Sequence, residues 1–382
     1  MTDHKTWPVS SQKALLRATF LSGAEGLSAF ETWKSQISMV DHPDLGSFRL
    51  LPCLFHHLKA QDIDDPFLMK FKGIARRNWY KNQRFFRSLA PPLQALHEAG
   101  IECMLLYGPV FALRYYTDYA LSSETNLAVW VPIKQARLAI KQLQRLGWQP
   151  ERRLPDALIE SYLAADWMHV FRDAAGRRIH LHWHLLPECR TSQADTDFWN
   201  EAITTKVHDV PVRILNPADQ ILHSCVEYHS TAEPSHFLRA VDVMLIMSTT
   251  PDLDWERLLT QAEKHHLVIP LLAVLHYIQA ALNQPLPPAV WQRLKSRPIS
   301  RQERLEYSLK QSRPLLWRRF WQVWFDYRRC TAPVSLIQGL LAFPRYLQHL
   351  WRLPDLHRVP GQALSILHER LRHRFFYLSI FK

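Results

Sequence analysis

The sequence predicts an α+β protein, a mixed sheet carrying helices and set between helical regions at both ends. Three observations point there. Short apolar runs interleave with amphipathic stretches between residues 100 and 215. Two of those runs are joined by a link of hairpin length. On either side, apolar residues recur at three- and four-residue spacing. The expected organisation is an N-terminal helical region over 1–99, an α/β core over 100–215, a helical domain over 216–300 and a basic, aromatic helical tail over 301–382.

Taken in order, residues 11–60 read as helices, with SQKALLRATF and SAFETWKSQISMV carrying the helical spacing. The pattern continues over 66–99, and Gly100 is a natural C-cap. IECMLLY at 101–107 is the first strand-like run; Gly108-Pro109 breaks it, and VFALRYY resumes helical spacing. NLAVWV at 126–131 is the second strand, and Pro132 suits the first turn of the helix that follows. Ala136, Leu138, Ala139, Leu143 and Leu146 form its apolar side, and Gly147 closes it. A helix at 155–163 precedes DWMHVFRD (166–173) and RIHLHWHLL (178–186), linked by Ala174-Ala175-Gly176-Arg177. TTKVHD and VRIL form a brief strand pair. Asn216 as N-cap, Pro217 and Asp219 then open a helix. From there the spacing is helical to the end.

With 47% hydrophobic residues, 14 Trp and 18 Phe, the chain can bury a sizeable core. Only 10 of its 382 residues are glycine, and neither a dinucleotide-binding fingerprint nor a P-loop motif occurs. Five scattered cysteines without zinc or redox spacing predict a reducing, cytoplasmic setting. No apolar run approaches membrane-spanning length. The net charge of +12 is concentrated in residues 301–382, which hold 15 Lys and Arg against 5 Asp and Glu.

The stretch GIECMLLYGPVFALRYYTDYALSSETNLAVWVPIKQARLAIKQLQRLGWQ (100–149) resembles an uncharacterised bacterial nucleotidyltransferase family of the polymerase-beta-like superfamily. Members show a strand ending in Lys-Gly, a helix with Arg-Tyr-Tyr and a strand headed Asp-x-Asp. Val-Pro, a helix and Leu-Gly-Trp follow, and later a strand like Val-Asp-Leu-His-Trp, matched by Ile179–Trp183. RLLPCLFHHLK (49–59), His223, His229, Asp242, LDWERLL (253–259) and PRYLQHLWRL (344–353) extend the likeness over nearly the whole chain.

The resemblance implies a nucleotidyltransferase-like sheet that moves a nucleoside monophosphate from a triphosphate to an acceptor. Side chains at i and i+2 of a strand share a face. Two carboxylates there, with a third on a neighbouring strand, can hold two magnesium ions. The resemblance places those three positions on Glu124, Asn126 and His180, and the usual lysine on Tyr107, before the expected Gly108. No arginine lies between Arg114 and Arg137, where the family tends to carry one. Three expected charges become one, on Glu124, the single weak metal ligand. The expectation is therefore a non-catalytic binding or regulatory module with Tyr107 and Gly108 at a nucleotide site and no cofactor. The alternative is an active transferase using Glu124 with magnesium or manganese.

His180, His182 and His184 share one strand face; structural histidines are expected there rather than a chelate. Cys103 reads as a buried thiol, Asp118 as a cap and Asp242 as a paired carboxylate anchoring helices. The tail segment WRRFWQVWFDYRRC (317–330) interleaves Arg with aromatics. It reads as an amphipathic helix packed on the body, with a protein partner or an anionic membrane surface as the functional alternatives and nucleic acid less favoured.

Overall fold

The computed structural model describes residues 8–37, 44–122, 127–152, 159–187, 189–226, 236–282, 286–297, 299–311, 316–330, 335–366 and 368. The chain opens with four helices: α1 (Ser10–Phe20), α2 (Gly23–Ser35), α3 (Leu45–Lys59) and α4 (Phe67–Glu98). Leu15, Leu16, Phe30, Trp33, Leu50, Leu54 and Phe71 are among their fully buried side chains. The spacing of these residues is the helical periodicity of the sequence turned into one apolar interior. The helix α4 runs through Pro91 and Pro92, at the cost of the two backbone N–H groups that proline lacks. It ends as expected at Gly100, whose φ of +70° lets Ile101 N–H reach back to Leu96 O at 3.0 Å.

The α/β region follows. β1 (Met104–Leu106) leads into the single turn α5 (Gly108–Val110), then β2 (Leu127–Trp130), α6 (Ile133–Arg145), β3 (Gln149–Pro150), α7 (Ile159–Ala165), β4 (Met168–Arg172), β5 (Arg178–His182), α8 (Ser192–Asn200), β6 (Ile203–Val207) and β7 (Val210–Ile214). The strands form one seven-stranded mixed sheet in the order β3-β4-β5-β2-β1-β7-β6. β1 and β2 are antiparallel, β2 and β5 parallel, and β4 and β5 form the expected hairpin. Every residue of β1 and β2 is buried, as central strands covered on both faces must be. β3 has no strand signal in the sequence. It is a two-residue edge strand containing Pro150, a position where a missing N–H goes unused. The VFALRYY stretch forms a π-helical turn over Phe111–Tyr115 rather than a regular helix.

The remaining helices are α9 (Pro217–Val226), α10 (His236–Thr249), α11 (Trp255–Lys264), α12 (Val268–Leu282), α13 (Pro288–Ser296), α14 (Arg301–Gln311), α15 (Leu316–Cys330) and α16 (Leu336–Leu350). One hydrophobic cluster runs from Ala14 to Leu294 and joins the N-terminal helices, the sheet and α9 to α13. The helix α9 begins as its sequence dictates: Asn216 Oδ1 accepts from Asp219 N–H at 3.0 Å. Asp219, wholly buried, is gripped by Arg257 of α11, with Nε at 3.0 and 3.1 Å and Nη2 at 2.7 Å. Asn216 Nδ2 adds a fourth contact at 2.6 Å.

In the tail, Phe343 of α16 lies 5.0 Å from Trp324 and 5.2 Å from Tyr327 of α15, and Tyr327 Oη donates to Gly339 O at 2.9 Å. α16 packs on α7, and Arg329 forms a buried ion pair with Glu306. Tyr327 is thus buried and Trp324 and Phe325 are half-buried, as the amphipathic pattern implies, whereas Phe320 and Trp321 stay exposed; at least one tail arginine is inside as well. Among the described residues no helix is long and apolar enough to cross a membrane.

Two stability predictions follow from this packing. Arg257→Ala strands a buried carboxylate and should cost about 3–5 kcal/mol in urea unfolding; Arg257→Lys, lacking the planar fork, should recover only part of it. His265 is stacked on Phe198 at 5.1 Å and is 3% exposed. Burial first, then Lys264, Arg329 and His266, push its pKa down to about 4 against the opposing pull of Asp197. An unfolded histidine takes its proton near pH 6.5, so the fold keeps its full stability above that pH and loses it progressively as pH falls toward 4. At about 1.36 kcal/mol per unit the loss is about 3 kcal/mol. Unfolding midpoints measured between pH 7 and 4.5 should decline, and His265→Gln should flatten the decline.

Candidate functional site

A cavity of about 560 Å³ lies between one face of the sheet and the helices that cover it. Its floor is built from β5 and β4. Arg178, His180 and His182 alternate along β5 toward the cavity, while Ile179 and Leu181 are buried on the opposite face. Ala128 of β2 lies beside His180 in the parallel register. The roof comes from α9 through Gln220, His223 and Ser224, from α10 through Leu238, Val241 and Asp242, and from α3 through Arg49 and Leu50. Arg352, from beyond α16, completes the wall.

The cavity is graded along β5. Arg178 is largely exposed, His180 half-buried and His182 only 2% exposed. At ~3.3 Å per residue the exposed and buried ends of this floor are ~13 Å apart. Four arginines (Arg49, Arg152, Arg178, Arg352) face three carboxylates (Glu151, Asp166, Asp242) on the wall. Glu151 and Asp166 are held by guanidinium groups. Glu151 accepts from Arg178 at 2.6 Å and Arg172 at 3.1 Å, and these guanidinium groups hold its carboxyl below the usual range against the opposing effect of burial. Asp166 pairs with Arg352 at 2.8 Å, while the same guanidinium lies 4.0 Å from the centre of the Tyr162 ring.

Tyr107 and Gly108 line the cavity at the end of β1. Tyr107 carries a φ of +56° and ψ of −140°, a turn position that normally takes glycine. The strain is held by its surroundings. Its carbonyl accepts from Val110 N–H at 2.9 Å, and its ring lies 4.9 Å from that of His223 and 5.8 Å from that of His182. The chain leading into β2 is clamped from α4. Asn82, 1% exposed, donates to Tyr119 O at 2.6 Å and Ser122 O at 2.7 Å, and Phe86 stacks on Tyr119 at 4.8 Å. Asp118 caps that turn through Ala120 N–H at 2.8 Å.

Of the sequence candidates, His180, Tyr107 and Gly108 come together on this wall, whereas Glu124 and Asn126 lie outside the described residues. His182 joins them. His184 does not: its Nδ1 meets buried Asp195 Oδ2 at 2.6 Å, and burial pushes the Asp195 carboxyl up despite that partner. Cys103 is buried and its thiol is pushed up to about 12 by desolvation, which leaves it a packing residue. Asp242, read from sequence as a helix anchor, is half-buried on the cavity wall. Gln220, Arg152 and Arg178 carry no motif, and Arg49 and Arg352, though inside stretches that carry the family likeness, were not singled out as site residues. Only the three-to-four spacing of Gln220, His223 and Ser224 on one helix hints that they share a face.

Magnesium asks for several anionic oxygens in octahedral array. Among the described residues no group of three or more His, Cys, Asp or Glu could hold a metal ion. His180 offers an imidazole nitrogen rather than an anionic oxygen, and Glu151 and Asp166 are held by arginines. The described wall does not fit a two-magnesium cage.

Comparison with curated proteins gives no match. A family model described as an uncharacterised nucleotidyltransferase matches residues 47–283. That span holds the whole sheet, α9 to α12 and every cavity residue named above except Arg352. With well over half of its length matched and a mixed sheet of the expected kind, the chain belongs to this uncharacterised nucleotidyltransferase family.

Proposed function

We propose that the chain binds a nucleoside triphosphate in this cavity without transferring its nucleotidyl group, and so serves as a binding or regulatory module. The observation that carries the reading is the charge of the wall: four arginines against three carboxylates, with Arg178 and Arg352 in ion pairs with Glu151 and Asp166, and histidine at the position the resemblance assigns to a third metal-binding carboxylate. Nucleotidyl transfer depends on divalent ions to clamp the phosphates and activate the attacking oxygen. Guanidinium groups can meet phosphate oxygens directly, through planar, charge-assisted pairs. They neutralise the ligand without generating a nucleophile. The graded floor suits the same ligand, with charged groups at the exposed end and aromatic and polar groups at the buried end.

Titration calorimetry of the full chain with ATP, in magnesium and in EDTA, tests this. Binding should persist in EDTA with affinity within about two-fold. Arg152→Ala, at an exposed residue, should weaken binding about tenfold, as expected for one lost charge-assisted contact, and leave the melting temperature unchanged. Binding seen only with magnesium would reverse the conclusion. So would transfer of an α-labelled nucleotide to an acceptor that Glu124→Ala abolishes.

A further inference from the structure

Gln220 is 1% exposed and faces the cavity, yet neither its side-chain oxygen nor its nitrogen has a hydrogen-bond partner among the described residues. A buried carboxamide left this way is unfavourable in the unliganded fold, because both halves have given up water. Its position is fixed by its neighbours. Gln220 N–H donates to Asn216 O at 2.8 Å in the first turn of α9, and the adjacent Asp219 is locked to Arg257. The amide is therefore presented from a rigid element toward the buried end of the cavity. His223 and Ser224 lie one turn along the same helix, and the Tyr107 ring stands 4.9 Å from that of His223.

We propose that Gln220 is a specificity residue that reads the edge of a nucleobase, and that the buried end of the cavity is the base subsite. A carboxamide offers a donor and an acceptor side by side. Nucleobases carry the complementary pair on their edges, and glutamine meets adenine through two such bonds. Tyr107, His182 and His223 supply the flat π surfaces on which a base can rest. With the base at Gln220, the phosphates point along β5 toward Arg178 and Arg152. This inference rests on the triphosphate-binding reading above. A cavity with two polar walls also admits a bridging water in place of a base.

The test is titration of the full chain with ATP, GTP, CTP, UTP and sodium tripolyphosphate, which has charge but no base. At least one nucleotide should bind more tightly than tripolyphosphate. Gln220→Leu should weaken that nucleotide about tenfold, while tripolyphosphate stays within about two-fold. Gln220→Glu keeps the shape of the side chain but removes the N–H donor; it should show the same split if the leucine variant fails to fold. Nucleotide affinities unchanged in both variants, or no nucleotide tighter than tripolyphosphate, would mean that Gln220 meets only water, and would overturn the base subsite while leaving phosphate binding intact. If tripolyphosphate and all four nucleotides fail to bind the unaltered chain, the triphosphate reading itself falls and takes the base subsite with it.

Discussion

The grip of Arg257 on Asp219 sets the geometry from which the cavity follows. A carboxylate with no solvent exposure is tolerable only when its charge and lone pairs are met. Here a forked guanidinium and the Asn216 amide meet them. Arg257 also donates to Asp197 O at 3.0 Å, which ties α11 to α8 as well as to α9. The first turn of α9 is thereby pinned against two other helices. Gln220, His223 and Ser224 stand over the sheet because that turn cannot rotate, and polar atoms on that face are held away from water at a cost the surrounding apolar packing offsets.

The floor is governed by a different constraint, the parallel register of β2 and β5. Leu127 opposite Ile179 and Ala128 opposite His180 set which side chains of β5 share the cavity. A slip of one residue would exchange the histidines for Ile179 and Leu181 and leave imidazoles in the apolar layer. The buried apolar set on the far face holds the register, so the polar set on the near face is a by-product of hydrophobic packing. In a nucleotidyltransferase fold this is the face where negative oxygens gather cations. Here four arginines line the wall against three carboxylates, and Arg178 and Arg352 are paired with Glu151 and Asp166.

Elements with a strong period or a known cap were legible in the sequence. Most amphipathic helices, the β4–β5 hairpin, the Asn216 cap and the strand carrying His180 appear where the pattern put them; VFALRYY does not form the regular helix its spacing predicts, and 155–158 of the expected 155–163 helix lie outside the described residues. β3 was not legible, because a two-residue edge strand containing proline has no periodicity to read. The pairing of His184 with Asp195 and the cavity position of Asp242 depend on tertiary contacts. Local spacing says only that a side chain lies on some face. Gln220 was illegible for the same reason, and so was the cavity position of Arg352, although it sits in the 344–353 stretch that carries the family likeness. Each is chemically ordinary in its own helix or loop, and becomes part of a site only when segments far apart in the chain meet. The family likeness located the sheet end with Tyr107 and Gly108, since those residues sit inside a contiguous motif.

Arg352 reaches Asp166 across most of the C-terminal half of the chain, and Arg49 comes from the third helix. The wall is thus sewn together from both ends of the polypeptide. Such closure is a long-range event in folding, formed after local helices and hairpins have paid their smaller loop entropies. During synthesis the chamber stays open on one side until the segment bearing Arg352 has emerged and settled on α7. A folding chain would therefore complete this wall only after the segments on either side of it have packed.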